Sequence, residues 1–252
     1  MSATRLFSGT DGTPRVVAVV PLTPDVSARA TIQGLAEVLG VSVEGCPEVG
    51  NWRMRLVNRA LYVEKKTLKC CNSADRFKTS IQFLPLQYGD VYAALDACRV
   101  ADYVVFVLSS TVEVDECGNT LLRTLQAQGL PDVVTTLYPD GSLDPKSRAG
   151  VLRSLLSFIQ YFVPNQTRVY DIHSSSDRLN ALRSLCEGKP SDVRWRENRP
   201  YMLGEEVTWS EGVLCVTGYV RGSQLSPDRL VHIPGYGDYQ IQCVSSTFTP
   251  IS

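Results

Sequence analysis

A run of β-branched apolar residues followed by a helical repeat stands near the start of the chain, between Arg15 and Leu39. The run contains four valines within six residues, which predicts a buried strand. Ile32, Leu35, Ala36 and Leu39 then recur three and four positions apart, as in an amphipathic helix. The pattern therefore predicts a strand, a loop and a helix in that order.

The same alternation of strand-like and helix-like segments continues along the chain. We predict helices that start at Asp90, Asn119 and Asp144-Pro145, and a last one over Asp177–Glu187. We predict strands over Trp52 to Val63, Phe77 to Leu86, Tyr103–Leu108, Val133–Leu137 and Arg168–Ile172, the first two forming an antiparallel hairpin. This order predicts an α/β fold of the P-loop GTPase type: a doubly wound, mostly parallel sheet with one antiparallel hairpin.

Helical periodicity ends at about Pro190, and short strand-like runs follow. They cover Val213–Val220, Leu230–Ile233 and Tyr239–Val244, with turn-forming residues between them. These are too few strands to close a barrel, so we expect part of a small antiparallel β-barrel. We therefore predict an α/β domain over residues 1–190 and a partial barrel domain over residues 191–252.

The first loop stands where a nucleotide-binding domain of this fold carries a glycine-rich phosphate loop. The template G-x-x-x-x-G-K-[ST] places Pro21, Val26, Ser27 and Ala28 on its four fixed positions. Both glycines, the lysine and the magnesium-binding hydroxyl are therefore missing. The loss of three or four charge-assisted contacts removes roughly 5–10 kcal/mol of phosphate binding. We expect a degenerate loop that binds neither nucleotide nor any other cofactor.

Two further features of this loop weaken a phosphate site. Pro21 and Pro24 donate no backbone N–H group. Asp25 places a carboxylate near the start of the helix, where we expect it to cap the amides that a phosphate would otherwise use.

The other nucleotide-binding motifs of a GTPase also lack most of their defining residues. The D-x-x-G position holds Leu86-Gln87-Tyr88-Gly89, which keeps the glycine and lacks the aspartate. The N-K-x-D position holds Leu137-Tyr138-Pro139-Asp140, which keeps the aspartate alone. Gly89 and Asp140 are both explained as turn residues.

Composition and cysteine spacing limit the remaining classes of function. The chain of 252 residues is 44% apolar and 20% charged, as in globular proteins, and contains no long apolar run or signal-peptide pattern. Its eight cysteines include no C-x-x-C pair, which favours reduced thiols in a cytosolic or nuclear protein over a zinc site or disulfides. We predict no metal site.

The net charge of the chain is −1, but basic residues are in local excess between Trp52 and Lys78. Eight basic residues stand there against Glu64 and Asp75, and we predict that they contact an RNA backbone. The alternative is a solvated edge hairpin whose charges prevent sheet-to-sheet pairing. The candidate residues are Arg53, Arg55, Arg59, Lys65, Lys66, Lys69, Arg76 and Lys78.

A second basic group, in the predicted linker between the domains, has two interpretations. Arg194, Arg196 and Arg199 could contact RNA or hold the two domains together through carboxylates. We favour the second role slightly and keep the three arginines as candidate RNA-binding residues.

The two histidines do not indicate catalysis. His173 precedes Ser174–Ser176, but the chain has no G-x-S-x-G motif, so we expect a helix cap there. His232 has no second histidine near it for a metal. We predict no catalytic residue.

The C-terminal part carries the most specific motifs. Val216–Gly222 reads V-T-G-Y-V-R-G and is followed by Leu225 and by Leu230–Ile233, which resembles the second-domain barrel of translational GTPases. In combination with four other segments, the chain resembles the eukaryotic pre-rRNA-processing factors of the TSR type. Those segments are Tyr88–Asp102, Gln126–Pro131 and Arg199–Tyr201, together with His232–Gln240 in the barrel.

The resemblance implies a late assembly factor of the small ribosomal subunit that has lost nucleotide hydrolysis. It implies pre-rRNA, ribosomal proteins and other assembly factors as partners, with no membrane and no small-molecule substrate. It also implies a location in the nucleus and nucleolus and on late cytoplasmic particles. Such proteins usually carry a basic N-terminal extension and further barrel domains, so we expect a fragment of a longer protein.

Two other functions remain open from the sequence. One is an active GTPase with an unorthodox phosphate loop, because the order of elements is retained. The other is a protein-binding module whose basic hairpin is incidental.

Overall fold

The computed structural model describes residues 13–38, 52–57, 60–63, 66–68, 79–138, 145–190 and 198–245. The chain divides into two compact units, Met1–Val193 and Arg194–Ser252. Among the described residues, no helix combines the length and apolar character needed to cross a lipid bilayer.

Strands and helices alternate through most of the first unit. Its strands are β1 (Arg15–Pro21), β2 (Trp52–Val57), β3 (Ala60–Val63), β4 (Lys66–Leu68), β5 (Thr79–Pro85), β6 (Tyr103–Leu108), β7 (Asp132–Leu137) and β8 (Val169–Asp171). Its helices are α1 (Ala28–Glu37), α2 (Val91–Val100), α3 (Glu116–Gln128), α4 (Pro145–Phe162) and α5 (Ser175–Glu187).

Within the described residues these strands form one sheet in the order β4-β3-β2-β5-β1-β6-β7-β8. The five strands from β5 to β8 in this order are parallel. Strand β2 runs antiparallel to β5, with Trp52 opposite Phe83. The predicted α/β class, a mostly parallel sheet with an antiparallel pair after the first helix, is confirmed.

Successive residues of the central strands point to opposite faces of the sheet, and helices cover each face. Val17 and Val19 of β1 pack in one cluster with Ile32 of α1 and Leu182 of α5. Ala18 lies between these valines in sequence and is also fully buried. Helices α2 and α3 bring their own buried residues, and α2 packs against β1. Because both faces are covered, the central strands read as continuous apolar runs.

The predicted continuous strand from Trp52 to Val63 is wrong. The chain reverses within it, so that β2 and β3 pair antiparallel with Leu56 opposite Leu61. Arg59 lies outside the described residues. Alternation of apolar and polar residues continues through such a reversal, so the pattern alone does not show where the strand turns. As a result β2 is an interior strand, and β4 lies at one edge of the described sheet, with β8 at the other.

Helix starts depend on which side chain caps the free amides. Asp90 caps α2 as predicted, since its carboxylate accepts a hydrogen bond from the Ala93 N–H at 3.0 Å. The predicted start of α3 at Asn119 is wrong, because Asp115 is the cap and accepts from the Gly118 N–H at 2.9 Å. Helix α4 begins at Pro145, as predicted.

The second unit contains two antiparallel strand pairs: β9 (Pro200–Ser210) with β10 (Val213–Gly222), and β11 (Leu230–Ile233) with β12 (Gly237–Gln240). The strand predicted over Tyr239–Val244 is therefore shifted to Gly237–Gln240. Strand β9 was not predicted, because only its last four residues, Val207–Ser210, alternate between apolar and polar side chains, and the rest is specified by pairing with β10. The register shifts at Gly218, where an added Cβ would lie 2.1 Å from the Leu203 carbonyl oxygen.

Candidate functional site

The loop from Leu22 to Ser27, hereafter the first loop, lies at the carboxyl edge of the parallel strands between β1 and α1. In α/β folds of this type, that edge is where ligands bind. The Leu22 N–H donates to the Val107 carbonyl of β6 at 3.0 Å. The Leu86 N–H, after β5, donates to the Val19 carbonyl of β1 at 3.1 Å. The start of the loop is therefore attached to the central sheet.

Helix α3 packs directly against the first loop. Gly118 in its first turn faces the loop, and an added Cβ would lie 2.4 Å from the Leu22 carbonyl oxygen and 2.6 Å from Val114 Cγ1. The Leu22 side chain itself is fully buried. Glycine is required here because no Cβ fits between the helix and the loop backbone.

Asp25 connects the first loop to the end of β6. Its carboxylate accepts a hydrogen bond from the Ser109 hydroxyl. The Ser109 oxygen in turn accepts from the N–H groups of Thr111 and Val112, each at 3.1 Å. The prediction that Asp25 caps α1 is wrong: Ser27 is the cap and accepts from the Ala30 N–H at 3.3 Å.

The template positions of the phosphate loop carry packing and capping residues. Pro21 ends β1 and is buried, and Ser27 caps α1. Val26 and Ala28 are 7% and 3% exposed and belong to the same apolar cluster as Val17 and Ile32. These side chains provide no group that would bind a phosphate.

Electrostatics in the first loop also oppose an anion. The Oδ1 atom of Asp25 is buried and has no hydrogen-bond donor among the described residues. Thr23 is fully buried, and its hydroxyl likewise has no partner among them. A carboxylate oxygen that already lacks a donor repels a phosphate group brought close to it.

The segment that replaces D-x-x-G is held against α3. Gly89 has a φ of +86°, consistent with the predicted turn. The Tyr88 hydroxyl donates a hydrogen bond to Asp115, the cap of α3. The hydrogen bond from the Gly118 N–H, and after it the one from the Tyr88 hydroxyl, lowers the pKa of Asp115. Burial, and after it the hydrogen bond to Asp115, raises the pKa of Tyr88. Of the segment that replaces N-K-x-D, Pro139 and Asp140 lie outside the described residues.

The loop after β8 confirms the predicted helix cap. The Ser174 oxygen accepts a hydrogen bond from the Asp177 N–H at 3.4 Å and caps α5, while His173 is exposed. His232, in the second unit, contacts Asp238 at 2.8 Å.

An ion-pair network beside this loop, with buried carboxylates and partly exposed arginines, was missed in the sequence. Arg148 of α4 contacts Asp171 at 2.7 Å and Asp177 at 3.4 Å, and Arg168 also pairs with Asp177. The hydrogen bond to Asp171 raises the pKa of Arg148. No local pattern indicates the network, since Arg148 and Asp177 are 29 positions apart in the sequence.

Most of the candidate RNA-binding residues lie outside the described part of the chain. Arg53 and Arg55 lie in β2, in register with Gln82 and Ser80 of β5, and Lys66 lies in β4 of the same sheet. Arg199, just before β9, is exposed. The residues outside the described ranges are Arg59, Lys65, Lys69, Arg76, Lys78, Arg194 and Arg196.

Two protein-family models match consecutive parts of the chain. Residues 15–187 match the model described as Tsr1, G-like domain. Residues 189–250 match the AARP2CN (NUC121) domain.

Curated relatives with similar sequences come from several eukaryotes. The ribosome biogenesis protein tsr1 of Schizosaccharomyces pombe is 37% identical over 94% of this chain and 28% of its own length. The human pre-rRNA-processing protein TSR1 homolog is 28% identical over 98% of this chain and 29% of its own length. The chain therefore spans less than a third of the length of these relatives.

Solved structures with a similar fold are translation factors. Bacterial selenocysteine-specific elongation factor EF-Sec has a TM-score of 0.53 at 12% identity, over 91% of this chain and 38% of its own. Elongation factor SelB from Methanococcus maripaludis, solved with the GTP analogue GppNHp, has a TM-score of 0.52 at 11% identity. The match covers 86% of this chain and 44% of the SelB chain. At these identities the likeness establishes the fold alone.

Proposed function

Because the chain belongs to the Tsr1 family, we propose that it acts in ribosome biogenesis as a GTPase-like factor that does not hydrolyse GTP. Its place of action is the precursor of the small (40S) ribosomal subunit, where 18S pre-rRNA is processed. The names of the fission yeast and human relatives support ribosome biogenesis and pre-rRNA processing. The small subunit and the lack of catalysis are our inference.

The single observation that supports a non-catalytic role is the packing of the first loop. Asp25 is bonded to Ser109, and α3 approaches the Leu22 backbone so closely at Gly118 that no Cβ fits. A phosphate brought to this loop would meet the Asp25 carboxylate, which repels it, and a loop backbone that is fixed against α3. We therefore assign the GTPase-like domain a structural role, with no cofactor and no metal.

A nucleotide titration tests this proposal. We expect no saturable binding of GTP with Mg²⁺ by isothermal calorimetry, with any dissociation constant weaker than about 1 mM, since the missing contacts are worth several decades of affinity. SelB from Methanococcus maripaludis, whose structure holds a GTP analogue, is the positive control. Micromolar binding to this chain would instead favour the alternative, an active GTPase with an unorthodox phosphate loop, which the retained fold motivates.

For partners, we propose precursor rRNA together with ribosomal and assembly proteins. The basic residues of the β2–β4 region and of the segment from Arg194 to Arg199 are the proposed phosphate contacts. The remaining inferences are a location in the nucleus and nucleolus and on late cytoplasmic particles, and a barrel that contains β9–β12. All of these concern the whole protein, of which this chain matches less than a third.

Charge reversal tests the RNA contacts. We expect Arg53→Glu, Arg55→Glu and Arg59→Glu together to weaken RNA binding and to reduce the slope of log K against log salt by about one per lost contact. The matched control reverses Arg123, Arg153 and Arg183, three exposed arginines on the helices α3, α4 and α5. Equal binding and equal slopes in the two triple variants would favour the module that binds protein alone.

A further inference from the structure

The turn between β11 and β12 presents a tyrosine ring to solvent at the tip of a hairpin. Tyr236, the last residue of this turn, is 80% exposed. Its side chain has no hydrogen bond and no ring contact with any residue that the structure describes. Single exposed apolar side chains are common on protein surfaces, so exposure alone does not indicate a site. The geometry of the turn is the additional evidence.

The backbone around Tyr236 is fixed. The Tyr236 N–H donates to the Ile233 carbonyl at 3.0 Å, and the Tyr236 carbonyl accepts from the Tyr239 hydroxyl at 3.1 Å. Gly235 and Gly237, on either side, have φ values of +80° and +109°, which residues with a side chain rarely adopt. The turn therefore has a defined shape, and a ligand that contacts the ring does not have to order it.

The neighbours of Tyr236 leave its ring uncovered. Both adjacent residues are glycines, and an added Cβ at either of them would meet nothing within 4 Å. From Pro234 to Asp238, the only other apolar side chain is that of the proline. A tyrosine that anchors a protein interface is normally surrounded by contacts that exclude water. A flat ring without such surroundings suits the stacking of a nucleic-acid base better.

The charges of this hairpin nearly balance. Asp228 and Asp238 are accompanied by Arg229 and His232, and the Asp238 carboxylate contacts Nδ1 of His232 at 2.8 Å. The hairpin therefore lacks the positive excess by which proteins bind RNA phosphates, and an RNA contact here has to come from a base. Bases in duplex RNA are already stacked inside the helix, so single-stranded RNA is the form that fits.

We propose that Tyr236 is a stacking site for an unpaired base of single-stranded RNA. The base lies flat on the tyrosine ring at the tip of the hairpin. This inference rests on the proposed function, which makes RNA a partner of the protein. It differs in kind from the proposed contacts of the basic residues, since those contacts are to phosphates and this one is to a base.

Fluorescence titration of the whole chain with a short oligouridylate that carries a single 2-aminopurine tests the proposal. Stacking on a tyrosine ring quenches the fluorescence of this purine. We expect quenching on binding, and we expect Tyr236→Ala to abolish it and to weaken binding about fivefold to tenfold. Tyr236→Phe keeps the ring and should behave as the wild type. The slope of log K against log salt should be equal in all three, because stacking releases no counterions.

The matched control is Tyr92→Ala, which removes a similarly exposed tyrosine, at 82%, from helix α2. It should change neither the affinity nor the quenching. The proposal is overturned if Tyr92→Ala weakens binding as much as Tyr236→Ala, if Tyr236→Phe loses as much, or if Tyr236→Ala lowers the salt slope. It is also overturned if Tyr236→Ala binds as the wild type does, which would leave the ring for a protein contact. If the wild-type chain bound no RNA, the proposed RNA partner would be wrong as well.

Discussion

Arg15→Met is expected to lower the free energy of unfolding by about 3–5 kcal/mol. Arg15 is only 8% exposed and starts β1. Its guanidinium donates to the Tyr103 hydroxyl and the Leu185 carbonyl, each at 3.0 Å, and to the Gly188 carbonyl. Methionine fills much of the same volume but donates no hydrogen bond. The variant therefore leaves several buried acceptors without a partner.

Equilibrium denaturation in urea measures this effect, with Arg183→Met as the matched control. Arg183 lies on α5 with its side chain 44% exposed, and it pairs with Glu187 at 3.8 Å. An exposed pair of this kind contributes little, so the control should change the stability by less than about 1 kcal/mol. Equal losses in the two variants would show that the buried contacts of Arg15 do not stabilise the fold.

Gly118→Ala is expected to destabilise the protein by about 1–3 kcal/mol, although alanine is the better helix former. Gly118 lies in the first turn of α3, and the new Cβ would lie 2.4 Å from the Leu22 carbonyl oxygen. That oxygen belongs to the backbone, so the clash requires α3 or the first loop to shift. Thermal unfolding monitored by circular dichroism measures the loss.

The matched control for this variant is Gly150→Ala in α4. An added Cβ at Gly150 meets nothing within 4 Å, so helix propensity alone should decide the result. We expect a gain of about 0.5–1 kcal/mol. If Gly118→Ala were as stabilising as Gly150→Ala, the close contact between α3 and the first loop would not exist.

Secondary structure was predicted best where local chemistry decides it. Strand β6 was predicted with its observed bounds because a buried parallel strand is apolar throughout. The starts of α2 and α4 were found from Asp90 and Pro145, which act within one turn. The reversal between β2 and β3 and the whole of β9 were missed. Both depend on pairing with other strands, which no local pattern contains.

The candidate site shows the same division. The missing residues of the phosphate loop, from Pro21 to Ala28, are visible in the sequence, because that motif is local and strict in spacing. The partner of Asp25 is not visible: Ser109 is 84 positions away, and the two meet because β1 and β6 are adjacent strands. The capping role assigned to Asp25 was wrong for this reason, since a nearer serine caps α1 and a distant one binds the carboxylate.

The amino-acid sequence by itself determined the α/β class, the order of its elements, the loss of the phosphate-binding motif and the family resemblance, because each is a matter of residue type at fixed spacing. Only the tertiary structure decided what fills the first loop and how Arg148 joins Asp171 to Asp177. The physical reason is that hydrogen bonds, ion pairs and close contacts act over a few ångströms in space, whatever the separation along the chain.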